Sequence, residues 1–224
     1  MNYSEMFYCD LALAIHQNVI DDETKVYYSA CAYSALNYLH ENGLMHRFIN
    51  PGSIYITADG IPKLADLRYC KRFNGQKAFT ICGDPCYFAP EIVKQQGYNY
   101  SADLWALGCL IYEMHEGKNP MGTADREEVL FKTISNFDPD ILEFSKKSHK
   151  KVRSVITALL TVDYGSRCGY KGATEFQSKK MFSRTKWSTV GSDPIRFDLL
   201  GSTDDIFVEE SLDKCIGNTF FEDF

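Results

Sequence analysis

The sequence predicts a mainly α-helical (α+β) domain with a small amount of β structure. Apolar residues recur at helical spacing from residue 24 to 42, and the segment 102–116 is almost entirely apolar. Between these segments, Asp59-Gly60 is flanked by Tyr55-Ile56 and Lys63-Leu64, a pattern typical of a hairpin between two short strands. With 224 residues, the chain is long enough for one domain with a substantial core and an extension.

The first expected element is a short helix marked by four apolar residues, Met6, Phe7, Leu11 and Leu13. The long helix after it begins at Asp21-Asp22, because an aspartate suits the N-cap and a carboxylate suits the positive end of the helix dipole. Gly43 suits the position just beyond its C-terminus, where a left-handed backbone conformation ends many helices. The pattern therefore predicts a helix bounded by these residues.

Three more helices are expected after the hairpin. The segment 102–116 has few polar positions, which predicts a helix buried on all sides, whereas 125–135 and 150–161 are amphipathic. After Trp187 the pattern breaks into Gly, Ser, Asp and isolated aromatic residues, which favours an irregular tail. We therefore expect a domain at residues 1–187 and a tail at 188–224.

Composition excludes several classes of function. The net charge of −6, without a basic stripe, argues against a nucleic-acid partner. The eight cysteines include no C-x-x-C pair, so no zinc site is expected. The N-terminus lacks the features of a signal peptide, and the longest nearly apolar stretch, 104–112, has about half the length needed to span a bilayer. These observations predict a chain in a reducing, intracellular (cytoplasmic) compartment, with no membrane partner.

The motifs that carry chemistry lie between Leu44 and Glu91. They are L-M-H-R-F-I-N-P-G-S, then K-L-A-D-L-R, then T-I-C-G-D-P-C-Y-F-A-P-E. Their order and spacing resemble the large lobe of eukaryotic protein kinases, which carry H-R-D-x-K-x-x-N, D-F-G and A-P-E. The starting S-E-M-F, the activation-loop sequence and the closing D-K-C-I-G-N-T-F-F-E-D-F narrow the resemblance to the AGC group and its cyclic-nucleotide-dependent kinases. The resemblance implies a kinase-like large (C-terminal) lobe with short β hairpins and an AGC-type tail, and the small lobe is expected to be absent.

Three catalytic positions of the family carry other residues here. Phe48 occupies the position of the aspartate that accepts or orients the substrate's proton, and a phenyl ring can do neither. General base catalysis is typically worth about 10²–10⁴-fold in rate. Asn50 matches the catalytic lysine, and Ser53 matches an asparagine that binds magnesium. We therefore expect impaired catalysis.

The position of the D-F-G metal ligand keeps its aspartate, Asp66, but Leu67 and Arg68 follow it. An arginine there can pair with Asp66 or compete with a cation. Tyr55 matches an aliphatic residue beneath the adenine ring of the family's nucleotide, and its bulk would fill that floor. No cofactor is therefore expected; Mg²⁺ and ATP would bind only if Asp66 and Tyr55 retain residual nucleotide binding.

Residues that support the kinase fold are retained. Glu91 and Arg167 match the family's buried ion pair, and Asp103 matches the aspartate that holds the backbone of the histidine-arginine loop. His46 is expected to be a packed histidine of that scaffold and not a catalyst. Their joint presence predicts a folded lobe, since removing one side of a buried pair costs about 3–5 kcal/mol.

Two regulatory features are implied by the same resemblance. Thr80 matches the activation-loop phosphorylation site, with Arg47 and Lys71 as its basic partners; the alternative is a surface threonine near two solvated cations. Glu5 and Glu113 match carboxylates that bind arginines of basic peptides. The alternative is that Glu5 is a solvated surface residue and Glu113 an inherited core residue.

Three functions remain open from the sequence. The favoured one is a kinase-like binding module without phosphoryl transfer, whose partner is a kinase regulatory subunit, a basic peptide or a small lobe from another chain. The alternatives are an active serine/threonine kinase with a small lobe supplied elsewhere, and a truncated kinase gene product. The losses at the catalytic positions favour the first, because independent losses multiply in rate.

Overall fold

The computed structural model describes residues 7–122 and 126–192. Its helices are α1 (Leu11–His16), α2 (Asp22–Glu41), α3 (Pro90–Val93), α4 (Ser101–Glu116), α5 (Glu127–Ser135), α6 (Lys150–Leu159) and α7 (Ala173–Gln177). Its strands are β1 (Phe7–Asp10), β2 (Leu44–Met45), β3 (Ile54–Thr57), β4 (Pro62–Leu64) and β5 (Lys71–Arg72). The part of the chain described is thus mainly helical with short strands, as the sequence predicts.

Helix α4 forms the centre of the core. Its residues are buried on every side, and it packs against both α2 and α6. Gly108 allows the close approach to α6, because a Cβ atom there would lie 2.9 Å from the Cβ of Leu159 and 2.9 Å from Cδ2 of Leu160. The predominance of apolar residues in 102–116 therefore reflects a helix enclosed by others.

Helix α2 has the predicted boundaries. The side chain of Asp21 accepts a hydrogen bond from the backbone N–H of Thr24 (2.8 Å), which satisfies a free donor of the first turn. The hydrogen bond and burial act on the carboxyl in opposite directions, and the hydrogen bond dominates, so the pKa of Asp21 is lowered. Gly43 adopts φ = +69° just beyond the C-terminus, a conformation that favours glycine.

The strands form two small sheets. One has the order β1-β3-β4, and Tyr55 of β3 lies opposite Lys63 of β4, which confirms the predicted hairpin. The other pairs β2 with β5 antiparallel. The short helix predicted around Met6, Phe7, Leu11 and Leu13 is confirmed only in its second half: Leu11 and Leu13 lie in α1, whereas Phe7 belongs to β1 and Met6 lies outside the described residues. Pairing with β3 overrides the local pattern, and Asp10 then caps α1 through the N–H of Leu13.

The remaining helices agree with the sequence to within a few residues. The amphipathic segments become α5 and α6, although α5 begins at Glu127 and residue 125 lies outside the described part. Most of the predicted tail, residues 193–224, also lies outside it. No helix within the described ranges combines the length and the apolar character that crossing a bilayer requires.

Candidate functional site

The carboxylate of Asp103 on α4 holds the histidine-arginine loop. It accepts hydrogen bonds from the backbone N–H groups of His46 (2.8 Å) and Arg47 (2.7 Å) and from Nε2 of His40 (2.9 Å). Burial tends to raise the pKa of Asp103, but the hydrogen bond and electrostatic interaction with His40, with further contributions from His46 and the loop backbone, keep it below the ordinary value. These bonds fix Arg47 at φ = +68°, a strained conformation for a non-glycine residue. Sequence reasoning missed His40, because only the packing of α2 on α4 brings it here.

His46 lies beneath the loop and is fully buried. Its Nε2 donates to the carbonyl oxygen of Ala65 (2.7 Å), and its Nδ1 accepts from the backbone N–H of Phe48 (3.3 Å). Both ring nitrogens are thus used in one neutral tautomer. Burial lowers the pKa of His46, which favours this neutral form.

Phe48, at the position of the family's base, packs against an aromatic neighbour. Its ring stacks on that of Tyr69, with centroids 4.5 Å apart and planes inclined by 27°. The guanidinium group of Arg68 lies 5.4 Å from the centroid of Tyr69, within cation–π range. The catalytic position is therefore filled by the phenyl ring of Phe48, which carries no proton acceptor and packs on a neighbouring aromatic ring.

Arg68 also pairs with Asp66. Its Nη2 lies 2.9 Å from Oδ1 of Asp66, so the expected contact is present, although Arg68 is 72% exposed. Asp66 has φ = +58°, which directs the backbone into the turn that contains Arg68. At this position the local charge of the carboxylate is offset by a neighbouring cation.

Asn50 and Ser53 bond to each other in a closed turn. The side chain of Asn50 accepts from the N–H of Ser53 (3.1 Å), and Oγ of Ser53 accepts from the N–H of Asn50 (3.1 Å) and donates to its carbonyl oxygen (2.8 Å). Both residues are buried. The side-chain oxygens of both residues are thus committed to capping the turn. Within the described residues, no three His, Cys, Asp or Glu side chains are grouped to hold a metal ion.

Tyr55, expected at the nucleotide floor, lies on β3. Its ring contacts Phe7 of β1, with centroids 5.3 Å apart. Phe7 is 45% exposed, so this pair forms part of an open aromatic surface on the three-stranded sheet. An aromatic pair on the sheet thus stands where the resemblance implies an aliphatic floor. These features leave the described residues a poor fit to Mg²⁺-ATP.

The expected phosphorylation site is connected to one of its expected basic partners, Arg47, through a tyrosine hydroxyl. Nε of Arg47 donates to the carbonyl oxygen of Tyr69 (2.7 Å), and its Nη1 donates to the hydroxyl of Tyr98 (3.3 Å). Tyr98 in turn donates to the carbonyl oxygen of Thr80 (2.6 Å). Lys71 is placed opposite Met45 by the β2–β5 pairing, next to the same loop. Tyr98, which the sequence did not indicate, thus connects Arg47 to the backbone of Thr80.

Glu91 and Arg167 form the most buried ion pair of the described part. Nη1 and Nη2 of Arg167 donate to the two carboxylate oxygens of Glu91 at 2.6 and 2.7 Å. Arg167 also donates to the carbonyl oxygens of Thr161 (2.8 Å) and Ser101 (3.0 Å), and its guanidinium group lies 5.0 Å from the ring centroid of Trp105. The two-point geometry and the additional acceptors compensate for the cost of removing both charges from water.

Of the two carboxylates expected to bind a basic peptide, Glu5 lies outside the described residues. Glu113 is half-buried at the end of α4 and accepts a hydrogen bond from the hydroxyl of Tyr87. Burial raises the pKa of Glu113, and the hydrogen bond from Tyr87 counteracts part of this rise. Glu113 can therefore serve either as a peptide-binding carboxylate or as a core residue, because Tyr87 occupies only one of its two carboxylate oxygens.

These geometries are those of a protein kinase scaffold. The model of the protein kinase domain matches residues 3–182, so the chain belongs to the protein kinase family.

Within that family, the chain is similar to cGMP-dependent protein kinases. One relative is the cGMP-dependent protein kinase, isozyme 2 forms cD5/T2, of Drosophila melanogaster. The two sequences are 32% identical over 173 residues, and the matched region covers 75% of this chain and 18% of the relative. The chain is also 28% identical over 200 residues to cGMP-dependent protein kinase 2 of Rattus norvegicus, covering 85% of this chain and 26% of the relative. The chain thus spans about a quarter or less of the length of these relatives.

Proposed function

We propose that this member of the kinase family acts as a binding module in which phosphoryl transfer is impaired. The stacking of Phe48 on Tyr69 carries this proposal, because it places an apolar ring where the family has its base. Without a general base, a loss of about 10²–10⁴-fold in rate is expected. Electrostatic catalysis is weakened further by Asn50, an uncharged residue at the position of the lysine.

Weak affinity for Mg²⁺-ATP is the second part of this proposal. The ion pair of Arg68 with Asp66 supports it, since a cation would have to displace an existing positive charge. The closed turn of Asn50 and Ser53 supports it too, because those side chains would have to exchange hydrogen bonds for metal bonds.

Two measurements on purified protein test the enzyme reading. Isothermal titration with Mg²⁺-ATP should show no magnesium-dependent binding, and phosphate transfer from ATP to a basic serine peptide should stay at background. Arg68→Gly is the informative variant, because it frees Asp66 and should increase any magnesium-dependent binding. Phosphate transfer that Asp66→Asn abolishes would overturn the proposal and support the active kinase.

The partner proposed for this module is a basic peptide, such as a segment of a kinase regulatory subunit. Glu113 supplies a half-buried carboxylate, and the first turn of α5 adds the exposed acids Glu127 and Glu128. Val129, 54% exposed, adds an apolar contact beside these acids. Acidic groups next to exposed apolar surface complement a partner with arginine and aliphatic side chains.

Fluorescence anisotropy with a labelled arginine-rich serine peptide tests this surface. Glu113→Gln should weaken binding about tenfold, since hydrogen bonds to charged groups are worth about 1.5–3 kcal/mol. Asp59→Asn is the matched control, because Asp59 is an exposed acid in the β3–β4 turn, outside the proposed surface. Equal affinity of wild type and Glu113→Gln would count against the assigned surface.

A further inference from the structure

The start of α6 carries a concentration of positive charge that the net charge of the chain conceals. The chain has a net charge of −6, yet residues 146–153, K-K-S-H-K-K-V-R, include five lysine or arginine residues and no acid. Lys146, Lys147, Lys150 and Lys151 are exposed, and none of them forms an ion pair with another residue of the described part. Lysine-rich runs of this length often form binding patches for anionic partners.

The fold brings two further cations beside this run. Helix α6 packs against the turn Lys180–Phe182, and the exposed Arg184 and Lys186 follow that turn. Together with Lys150 and Lys151, they border one depression of the surface. We call the whole set the cationic patch; its members are Lys146, Lys147, Lys150, Lys151, Arg184 and Lys186. The patch is therefore assembled from two separate segments of the chain.

The turn just before α6, which carries the first two lysines of the patch, is held in place. Nε and Nη2 of Arg153 donate to the carbonyl oxygens of Ser148 (3.1 Å) and Ser145 (2.8 Å). The backbone N–H of Ser145 donates to the carboxylate of Glu116 at the end of α4 (2.8 Å). Because the turn is already ordered, a partner that binds its lysines has less conformational entropy to overcome than it would have with a flexible loop.

Lys150 and Lys151 occupy the first turn of α6, where positive charge is unfavourable. The N-terminal end of a helix has a partial positive charge, so acids stabilise it and lysines destabilise it. The first turns of α2 and α5 follow this rule with two acids each, whereas the first turn of α6 contains no acid. A pair of lysines that weakens its own helix, without an ion pair to offset this, indicates a role other than folding.

An acidic protein segment fits the patch better than a larger polyanion does. At physiological ionic strength, exposed charges act over about 8 Å, so a short segment interacts chiefly with the cations that it touches. A membrane or a nucleic acid would extend beyond the patch. It would then face Asp22 and Glu23, which border the same depression, and the negative field of a chain with a net charge of −6.

We propose that the cationic patch binds an acidic segment of a partner protein. Lys146 and Lys151 are five residues apart, so their Cα atoms lie within about 18 Å of each other, and about six consecutive acidic residues can contact the lysines between these limits. The patch is separate from the surface proposed for a basic peptide, because Glu113, Glu127 and Glu128 belong to neither of its segments. The chain can thus hold two partners of opposite charge.

Fluorescence anisotropy of the full chain with a labelled glutamate-rich peptide of about six residues tests this proposal. Lys150→Glu with Lys151→Glu should weaken binding at least about tenfold, because two attractions become repulsions. Lys94→Glu with Lys132→Glu is the matched control, since it makes the same change of charge at exposed lysines outside the patch. It should change the affinity less than about twofold, because salt screens charges that the peptide does not touch.

Urea unfolding separates a loss of the binding surface from a loss of folding. The variant with Lys150→Glu and Lys151→Glu should unfold at a higher urea concentration than the wild type, because acids suit the first turn of a helix. It should also bind a lysine-rich peptide of equal length more tightly than the wild type does. If the two lysines had only a structural role, the reversal would instead lower the urea midpoint.

Three results would overturn the proposal. They are the absence of saturable binding of the glutamate-rich peptide, equal weakening by the reversals at 150–151 and at the two control lysines, and tighter binding of phosphatidylserine vesicles or single-stranded DNA than of the peptide through the same lysines. The last result would assign the patch to a membrane or to a nucleic acid.

Discussion

Replacing Glu91 by Gln should destabilise the domain severely. The variant keeps the shape of the side chain but removes the charge that Arg167 contacts at 2.6 and 2.7 Å, and Arg167 is fully buried. An uncompensated buried charge costs about 3–5 kcal/mol, a large part of the roughly 5–15 kcal/mol that stabilises a typical domain. Urea unfolding followed by tryptophan fluorescence measures this, because the buried Trp105 lies 5.0 Å from the guanidinium group.

Two controls separate this effect from a general loss of charge. Glu143→Gln removes one side of the exposed Lys118–Glu143 pair (3.1 Å) and should leave the urea midpoint unchanged, because solvent screens that pair. The double variant Glu91→Leu, Arg167→Met should be more stable than Glu91→Gln, since it removes both buried charges. A shift for Glu91→Gln no larger than that for Glu143→Gln would refute the reasoning.

Three further predictions concern protons and phosphate. Burial lowers the pKa of His115 to about 4, so the unfolded chain binds a proton first as the pH falls; stability should therefore decrease from about pH 6.5 towards pH 4, by at most about 1.4 kcal/mol per pH unit. Urea midpoints should show that His115→Gln weakens this dependence, leaving the part due to buried His46, and that the exposed-site control His16→Gln does not weaken it. Tyr87→Phe should raise the pKa of Glu113 further, because it removes a hydrogen bond that lowers it; an unchanged value in carboxyl NMR would contradict this. Phosphate on Thr80 should slow hydrogen exchange of residues 76–84 through charge-assisted hydrogen bonds, and equal exchange with and without phosphate would favour a plain surface threonine.

The long helices could be read from the sequence because their signals are local. Asp21 and Gly43 mark the ends of α2, and the apolar content of 102–116 marks α4 as buried. The two-residue strands β2 and β5 could not be read in this way. Their pairing depends on contacts between Leu44 and Arg72, far apart in the chain. The sequence of β1 also fitted a helix, and its pairing with β3 determines that it forms a strand.

The sequence predicted which residues occupy the motif positions of the candidate site, but it did not predict most of their side-chain partners. The sequence placed Asp103 near the histidine-arginine loop, but not His40, which reaches Asp103 from another helix. It indicated that Phe48 lacks a proton acceptor, but not that Tyr69 would stack on it. Such contacts depend on side-chain packing across elements, for which one sequence has no periodic signal. The division at residue 187 and the partner remain predictions.

Because Asp103 holds the backbone of the histidine-arginine loop, mutations of the loop's side chains can affect catalysis without affecting the attachment of the loop. The loop is held through its backbone N–H groups, so most side chains could change there without loosening that attachment. Catalysis thus depends on the side chains of the loop, whereas the position of the loop depends on its backbone. A kinase-like lobe built in this way can lose its reaction while keeping a surface of fixed shape for other molecules to recognise.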